Sequence, residues 1–277
     1  MSETDKSAGA WFDAGQLDDA VAAANAAVRK APTELAPRVL LAELLLFAGN
    51  LERADVILDA AGMIDPQAAM VVAEFRQLLR ADLARRQLRR DGRLPEFLGA
   101  PTETLAATLQ AHVCLRAGDA AGATTAAAKA EALRPRVAGT AGGRRFDDFR
   151  DADDLNAGFF EVLTTTGKYF WIPTERVETI EFHKPKRARD LCWRRVSMSV
   201  RGGPDGDVYL PVIYGDDDPS LGPPLADEFR LGRATDWVQQ ADGPVCGVGQ
   251  RVFLMGDDLV TIMDLTTIGF DLPADAA

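Results

Sequence analysis

The chain has 277 residues, is 47% hydrophobic and carries a formal net charge of −11. That length and apolar share suit one large domain or two ordinary ones with a proper core, and exclude a disordered acidic chain. The acidity argues against a nucleic-acid partner, and no run approaches the roughly eighteen apolar residues needed for membrane insertion.

The first segment, MSETDKSAGAWF, is polar and lacks the basic and apolar regions of a signal peptide. Cys114, Cys192 and Cys246 are scattered and odd in number, which indicates neither a disulfide framework nor a zinc ribbon. A cytoplasmic protein is expected.

A 34-residue register then appears. Gly15, Ala20, Ala27 and Pro32 return as Gly49, Ala54, Ala61 and Pro66, and the same spacing recurs at Gly118, Ala123, Ala130 and Pro135. Each set predicts a helical hairpin. Glycine ends the first helix, small alanines let two helices approach, and proline stops the second. The period and landmarks resemble the tetratricopeptide repeat. Residues 67–90 do not fit the period and read as one long helix. Arg76, Arg80, Arg85, Arg86, Arg89, Arg90 and Arg93 crowd this stretch and the residues just after it. Two readings stay open: a solvated face paired with nearby carboxylates, or a basic edge at Arg85, Arg86, Arg89 and Arg90. Such an edge would meet an acidic partner or the chain's own second half, where 24 acidic side chains outnumber 15 basic ones over residues 144–277.

The glycine-rich stretch 139–144 reads as a linker between a helical-repeat domain, 1–138, and a β-rich domain, 145–277. GFFEVLTTTGKYFWIP predicts a hairpin turning at Gly167, VETIEFH alternates as a strand does, and CWRRVSMSVRG with DVYLPVIYG predicts a second pair. PVCGVGQRVFLMGDDLVTIMDLTTIGF adds two or three more strands. The fold class is therefore α+β multidomain: tetratricopeptide-like helices, then a small antiparallel sheet or partly open barrel of six to eight strands.

Catalytic signatures are sparse. His112 falls in a repeat helix and His183 ends a strand, with no third histidine to complete a zinc set. Cys192 has no evident histidine partner. CGVGQ holds only part of a dinucleotide-binding pattern and suits a glycine turn. The carboxylates of YGDDDPS (Asp216, Asp217 and Asp218) and of DDFRDADDLN lack calcium-loop spacing, and the second of these stretches could open a helix. No catalytic residue, metal or cofactor is assigned. RDLCWRR and LGRATDW each place Asp, Trp and Arg within a few residues, a set that serves as an internal brace or as a binding hot spot. Arg233, Asp236 and Trp237 are accordingly expected to form a structural or partner-binding cluster, with Asp190, Trp193 and Arg251 as its neighbours.

The ordered series GKYFWIP, RDLCWRR, LPVIYG, RLGRATDW and GVGQRVFLMGDD resembles the ImpE family, also called TagJ, over roughly 145–272. The resemblance implies a non-enzymatic cytoplasmic accessory protein of bacterial type VI secretion. It implies binding to the N-terminal helical region of the small contractile-sheath subunit, and a link to the ATPase that disassembles the sheath. Two other readings stand beside it: a metal-dependent hydrolase using Asp and Arg of the second half, and a generic repeat scaffold.

Overall fold

The computed structural model describes residues 6–215, 225–239 and 241–271. Asp216, Asp217 and Asp218 lie outside these described residues.

Six helices form the three expected hairpins: α1 (Ala8–Asp13) with α2 (Leu17–Lys30), α3 (Leu35–Phe47) with α4 (Leu51–Ile64), and α6 (Glu103–Arg116) with α7 (Ala120–Leu133). The repeated glycines explain themselves. Gly15, Gly49 and Gly118 have φ of 78°, 72° and 75°, the left-handed conformation that closes a helix. In each case the next residue reaches back five positions with its N–H: Gln16 to the Trp11 carbonyl, Asn50 to Leu45 and Asp119 to Cys114, at 2.9–3.0 Å. Ala20, Ala54 and Ala123 stand at the helix crossings with no exposure at all. Any larger side chain there would separate the paired helices.

Between the second and third hairpins lies α5 (Ala69–Asp91), a single helix of 23 residues closed by left-handed Gly92. At that length it spans about 35 Å. Its first turns lean on α4, where Arg76 pairs with Asp55 at 2.7 Å and with Asp59. Farther along, Phe75, Leu78, Leu79 and Leu88 are buried. They face two ways, toward the repeats and toward the sheet.

An eight-stranded antiparallel sheet follows, built from β1 (Gly139–Ala141), β2 (Arg144–Phe146), β4 (Phe159–Leu163), β5 (Tyr169–Pro173), β6 (Val177–Phe182), β7 (Trp193–Val200), β8 (Asp205–Pro211) and β13 (Thr267–Phe270). Its order is β2-β1-β13-β6-β7-β8-β4-β5. The predicted hairpins are present, with Gly167 at φ 81°. Two smaller sheets flank it: β3 (Phe149–Asp151) with β11 (Val252–Met255) and β12 (Asp258–Thr261), and β9 (Thr235–Gln239) with β10 (Val245–Gly249). A one-turn helix, α8 (Asp227–Arg230), precedes β9. The main sheet is open rather than a closed barrel. Its β5 edge is covered by the chain after α5, where Glu96 exchanges backbone hydrogen bonds with Tyr169 and Trp171. Covering an edge this way satisfies polar groups that would otherwise template aggregation.

Three expectations change. Stretch 139–144 is not a linker: Gly139–Ala141 pairs with β13 on one side and β2 on the other. Glycine is needed there because a Cβ on Gly139 would lie 2.3 Å from the Gly269 carbonyl oxygen. DDFRDADDLN opens no helix but contains β3. The described residues also hold thirteen strands, more than six to eight, because several are only three to five residues long.

The core explains the strand patterns. Phe159, Leu163, Tyr169, Trp171, Trp193 and Tyr209 join the apolar core of the helices. Phe160, Val162, Ile172, Val196, Met198 and Leu210 face the opposite side and pack with Phe149 and Phe253. Strand β4 is therefore buried on both faces, which is why FFEVL is an unbroken apolar run around one glutamate. The first half and the sheet share one core, with the Phe75 and Trp193 rings 5.9 Å apart and edge-on.

Candidate functional site

That glutamate, Glu161, is the centre of the most heavily charged buried region of the described structure. Arg85 reaches it from α5 in a bidentate pair, Nε to Oε1 at 3.0 Å and Nη2 to Oε2 at 3.1 Å. Arg251, just after β10, donates to the second oxygen of Glu161 and to Asp151 at 2.7 Å. Tyr214 donates to Asp151 at 2.7 Å, and Tyr169 donates to Glu161 while accepting from the Trp171 indole. Each of these groups is nearly inaccessible. Two guanidiniums face two carboxylates, so the set is neutral and its members are well satisfied. Those are the conditions under which a buried ionic group is tolerated. Burial alone would raise Glu161, but Arg85, Arg251 and Arg89 overcome it and hold the carboxyl well below its usual range. Burial dominates at Asp151 and pushes it up to about 6 despite Arg251.

Local sequence sets this geometry through CGVGQ. A Cβ on Gly247 would sit 2.4 Å from the Tyr214 ring, and one on Gly249 would sit 2.1 Å from the Ala234 carbonyl oxygen. The glycines let β10 press against Tyr214 and Ala234. Asp153 fastens the same region by accepting from the Leu155 and Gly247 N–H groups, each at 2.8 Å. Acidic residues of DDFRDADDLN thus serve as buried acceptors.

The six residues expected to cluster are dispersed. Arg251 belongs to the network just described. Trp193 is buried against Phe75, on the helix side of the sheet. Asp190 caps a 3₁₀ turn (Ala188–Leu191), accepting from the Lys186 N–H at 2.8 Å and the Arg187 N–H at 3.3 Å. Arg233 crosses to the first helix and donates to the carbonyls of Phe12 and Asp13 at 2.6 and 3.0 Å. Asp236 is exposed and accepts from the adjacent Trp237 N–H at 2.8 Å. Trp237 is 37% exposed, with its ring 6.0 Å from Tyr214. LGRATDW is therefore a turn entering an edge strand, and alternate strand side chains point to opposite faces. Neighbours in sequence are separated by that alternation, so no Arg233–Asp236–Trp237 brace forms.

The basic run divides likewise. Arg85 is in the network, Arg86 pairs with Asp82 at 3.2 Å and Arg90 pairs with Asp91 at 3.1 Å. Arg89 lies so close to Gly215 that a Cβ there would fall 1.9 Å from its guanidinium. Helical periodicity keeps the four on one side of the helix, but burial divides them: the Arg85 side chain is 8% exposed against Glu161 and that of Arg90 is 67% exposed beside Asp91.

Burial pushes His112 down to about 3, so it stays neutral near neutrality, with its ring 5.8 Å from Trp171. Burial pushes the Cys246 thiol up to about 12. His183 Nε2 lies 2.9 Å from the Ser197 hydroxyl, which itself donates to Asp207 at 2.6 Å. Among the described residues, no three His, Cys, Asp or Glu side chains are grouped to hold a metal. A cleft lined by Asp82, Arg85, Arg86, Tyr214 and Arg230 reaches the network, but it holds about 40 Å³. That is room for water and far below the roughly 300 Å³ of a small-molecule site. Glu161, Asp151 and Tyr214 went unmarked in the sequence. The legible signal was the lone carboxylate inside FFEVL, since an apolar strand carries a charge only where a partner awaits it.

Residues 143–269 match the family described as ImpE protein, and residues 12–75 match the one described as tetratricopeptide repeat. The chain is similar to the type VI secretion system accessory component TagJ of Pseudomonas aeruginosa, with 29% identity over 269 residues, 95% of this chain and 90% of that protein. It is also similar to the crystal structure of protein VPA1032 from Vibrio parahaemolyticus. The TM-score is 0.89 and the identity 26%, over 98% of this chain and 99% of that one. No helix among the described residues is long and apolar enough to cross a membrane.

Proposed function

The chain carries an ImpE domain over residues 143–269 behind tetratricopeptide-type repeats, and on that premise we propose that it is a non-enzymatic accessory protein of a type VI secretion system. The observation that carries this reading is the extent of the relation. It covers 95% of this chain and 90% of the TagJ component, helices and sheet together. In the finer reading, the protein is a cytoplasmic adaptor that binds the N-terminal helical region of the small sheath subunit. Through that subunit it is linked to the ATPase that disassembles contracted sheath.

The fold restricts where such a helix could dock. In a repeat array the first helix of each hairpin commonly lines the binding groove. Here α3 is buried continuously from Leu41 to Phe47, because the 3₁₀ turn at 188–191 packs against it. The outward faces remain. Val56 and Met63 on α4 and Met70 on α5 are 68%, 78% and 83% exposed. Exposed methionine suits helix recognition, since its flexible thioether adapts to a partner's apolar stripe.

The test is calorimetric titration of the purified chain with a peptide spanning the N-terminal helix of the small sheath subunit. Binding should be saturable and should weaken at least tenfold in a Met63→Asp, Met70→Asp double variant. No binding by a folded wild-type chain would refute the adaptor reading. Equal binding by the variant would move the site elsewhere.

A further inference from the structure

Helix α3 contains a second lone carboxylate in an apolar run, Glu43 within LLAELLLF. It is 4% exposed and faces the 3₁₀ turn of the sheet half, where Arg187 Nε lies 3.4 Å from its Oε1. Unlike Glu161, it is poorly satisfied. Glu43 Oε1 accepts no hydrogen bond, and on the facing turn Nε and Nη1 of buried Arg189 donate none. The Arg189 guanidinium instead stacks over Phe75, 4.8 Å from the ring, with Nη2 3.6 Å from Glu74. Glu74 is already engaged, accepting from the Tyr209 hydroxyl at 2.8 Å. The charged groups around Glu43 are thus Arg187, Arg189 and Asp190 from the turn, with Glu74 of α5 and Tyr209 of β8 beyond Arg189. The hydrophobic residues that α2 and α4 bury in this core include Ala24, Ala54 and Leu58.

We propose that Glu43, Arg187 and Arg189 form a protonation-controlled contact that adjusts how tightly the helical repeats hold the sheet half. The physical basis is the mismatch between a dry carboxylate and its ion-pair partner Arg187, which stands 3.4 Å away without hydrogen-bonding to Oε1. An ionised Glu43 demands a hydrogen-bonded cation. Arg187 can supply one only by bringing in a side chain that is 39% exposed. A protonated Glu43 makes no such demand and suits the apolar seat. Burial pushes the Glu43 carboxyl up to about 7; Arg187 and Arg189 oppose this and Asp190 adds to it. Since the folded value lies above the ordinary 4.5, the folded state holds the proton more tightly between the two values. The contact therefore weakens as pH rises from about 4.5 through 7.

Hydrogen exchange of the full chain tests this, read at the amides of residues 42–47 and 188–193 at pH 6, 7 and 8 and corrected for intrinsic rates. The opening constant should rise about tenfold from pH 6 to pH 8 in the wild type. In Glu43→Gln it should change by less than about twofold, because the amide does not titrate. Arg187→Ala supplies the second test. Removing the opposing charge should move the midpoint of the wild-type transition to higher pH, which a merely structural contact would not do. A flat wild-type profile, an unchanged rise in Glu43→Gln or an unmoved midpoint in Arg187→Ala would each overturn the proposal.

Discussion

Replacing Glu161 with Gln removes the charge at the centre of the buried network while keeping its shape. Glu161 accepts two hydrogen bonds from Arg85, one from Arg251 and one from Tyr169. Glutamine retains one acceptor oxygen and turns an amide N–H₂ toward a guanidinium. Arg251 keeps Asp151, but Arg85 loses its bidentate partner in a place with almost no water. Breaking such a pair costs about 3–5 kcal/mol, against a total stability on the order of 5–15 kcal/mol. The melting temperature should fall by about 6–20 °C, at about 2–4 °C per kcal/mol for a chain of this size class. Urea titration at pH 7 provides the assay, followed by fluorescence, because Trp171 and Trp193 are buried beside the network. Arg85→Met with Glu161→Gln should cost clearly less than the sum of the single changes, since the double variant leaves no unpaired arginine at that pair. Glu161 is held below the ordinary 4.5, so its contribution is present above that pH. The gap between wild type and variant should close as pH falls below about 4.5. A Glu161→Gln protein within about 1 kcal/mol of wild type at pH 7 would show that the network does not secure the two halves.

Other substitutions probe the same account. Asp236→Ala should change stability by no more than about 0.5 kcal/mol in urea titration, because the exposed carboxylate touches only its neighbour's N–H. A large loss there would restore the idea of a brace within LGRATDW. Tyr214→Phe removes the hydroxyl that donates to Asp151 and accepts from the Val252 N–H, and should cost about 1–3 kcal/mol by the same titration. Gly247→Ala should cost about 1–3 kcal/mol through collision with the Tyr214 ring, and a Gly247→Ala, Tyr214→Phe pair should not relieve it, since the ring remains. The His112 ring should show no protonation between pH 5 and 8 in NMR titration, because burial holds it at about 3. A midpoint near the ordinary 6.5 would mean that water reaches it.

The elements of this protein were set close to home in the chain. A helical hairpin needs its glycine, its alanine crossings and its proline within a few turns, and all three repeat copies display them. A β-hairpin such as 159–173 needs two alternating runs and a residue tolerant of positive φ, and Gly167 supplies it. Backbone hydrogen bonds and turn conformations span few residues, so local sequence carries the decision. Side-chain partnership obeys no such limit. Arg85 and Glu161 lie 76 residues apart, and Arg251 and Asp151 lie 100 apart. In the string, Arg85 is one of a run of arginines and Asp151 one of a run of aspartates, each indistinguishable from a solvated neighbour. Only the docking of α5 across β4 takes Arg85 out of water while leaving Arg90 in it. Residues adjacent in LGRATDW were in turn separated by the turn and by strand alternation. Burial decides which charges must find partners, and burial is a property of how the elements pack.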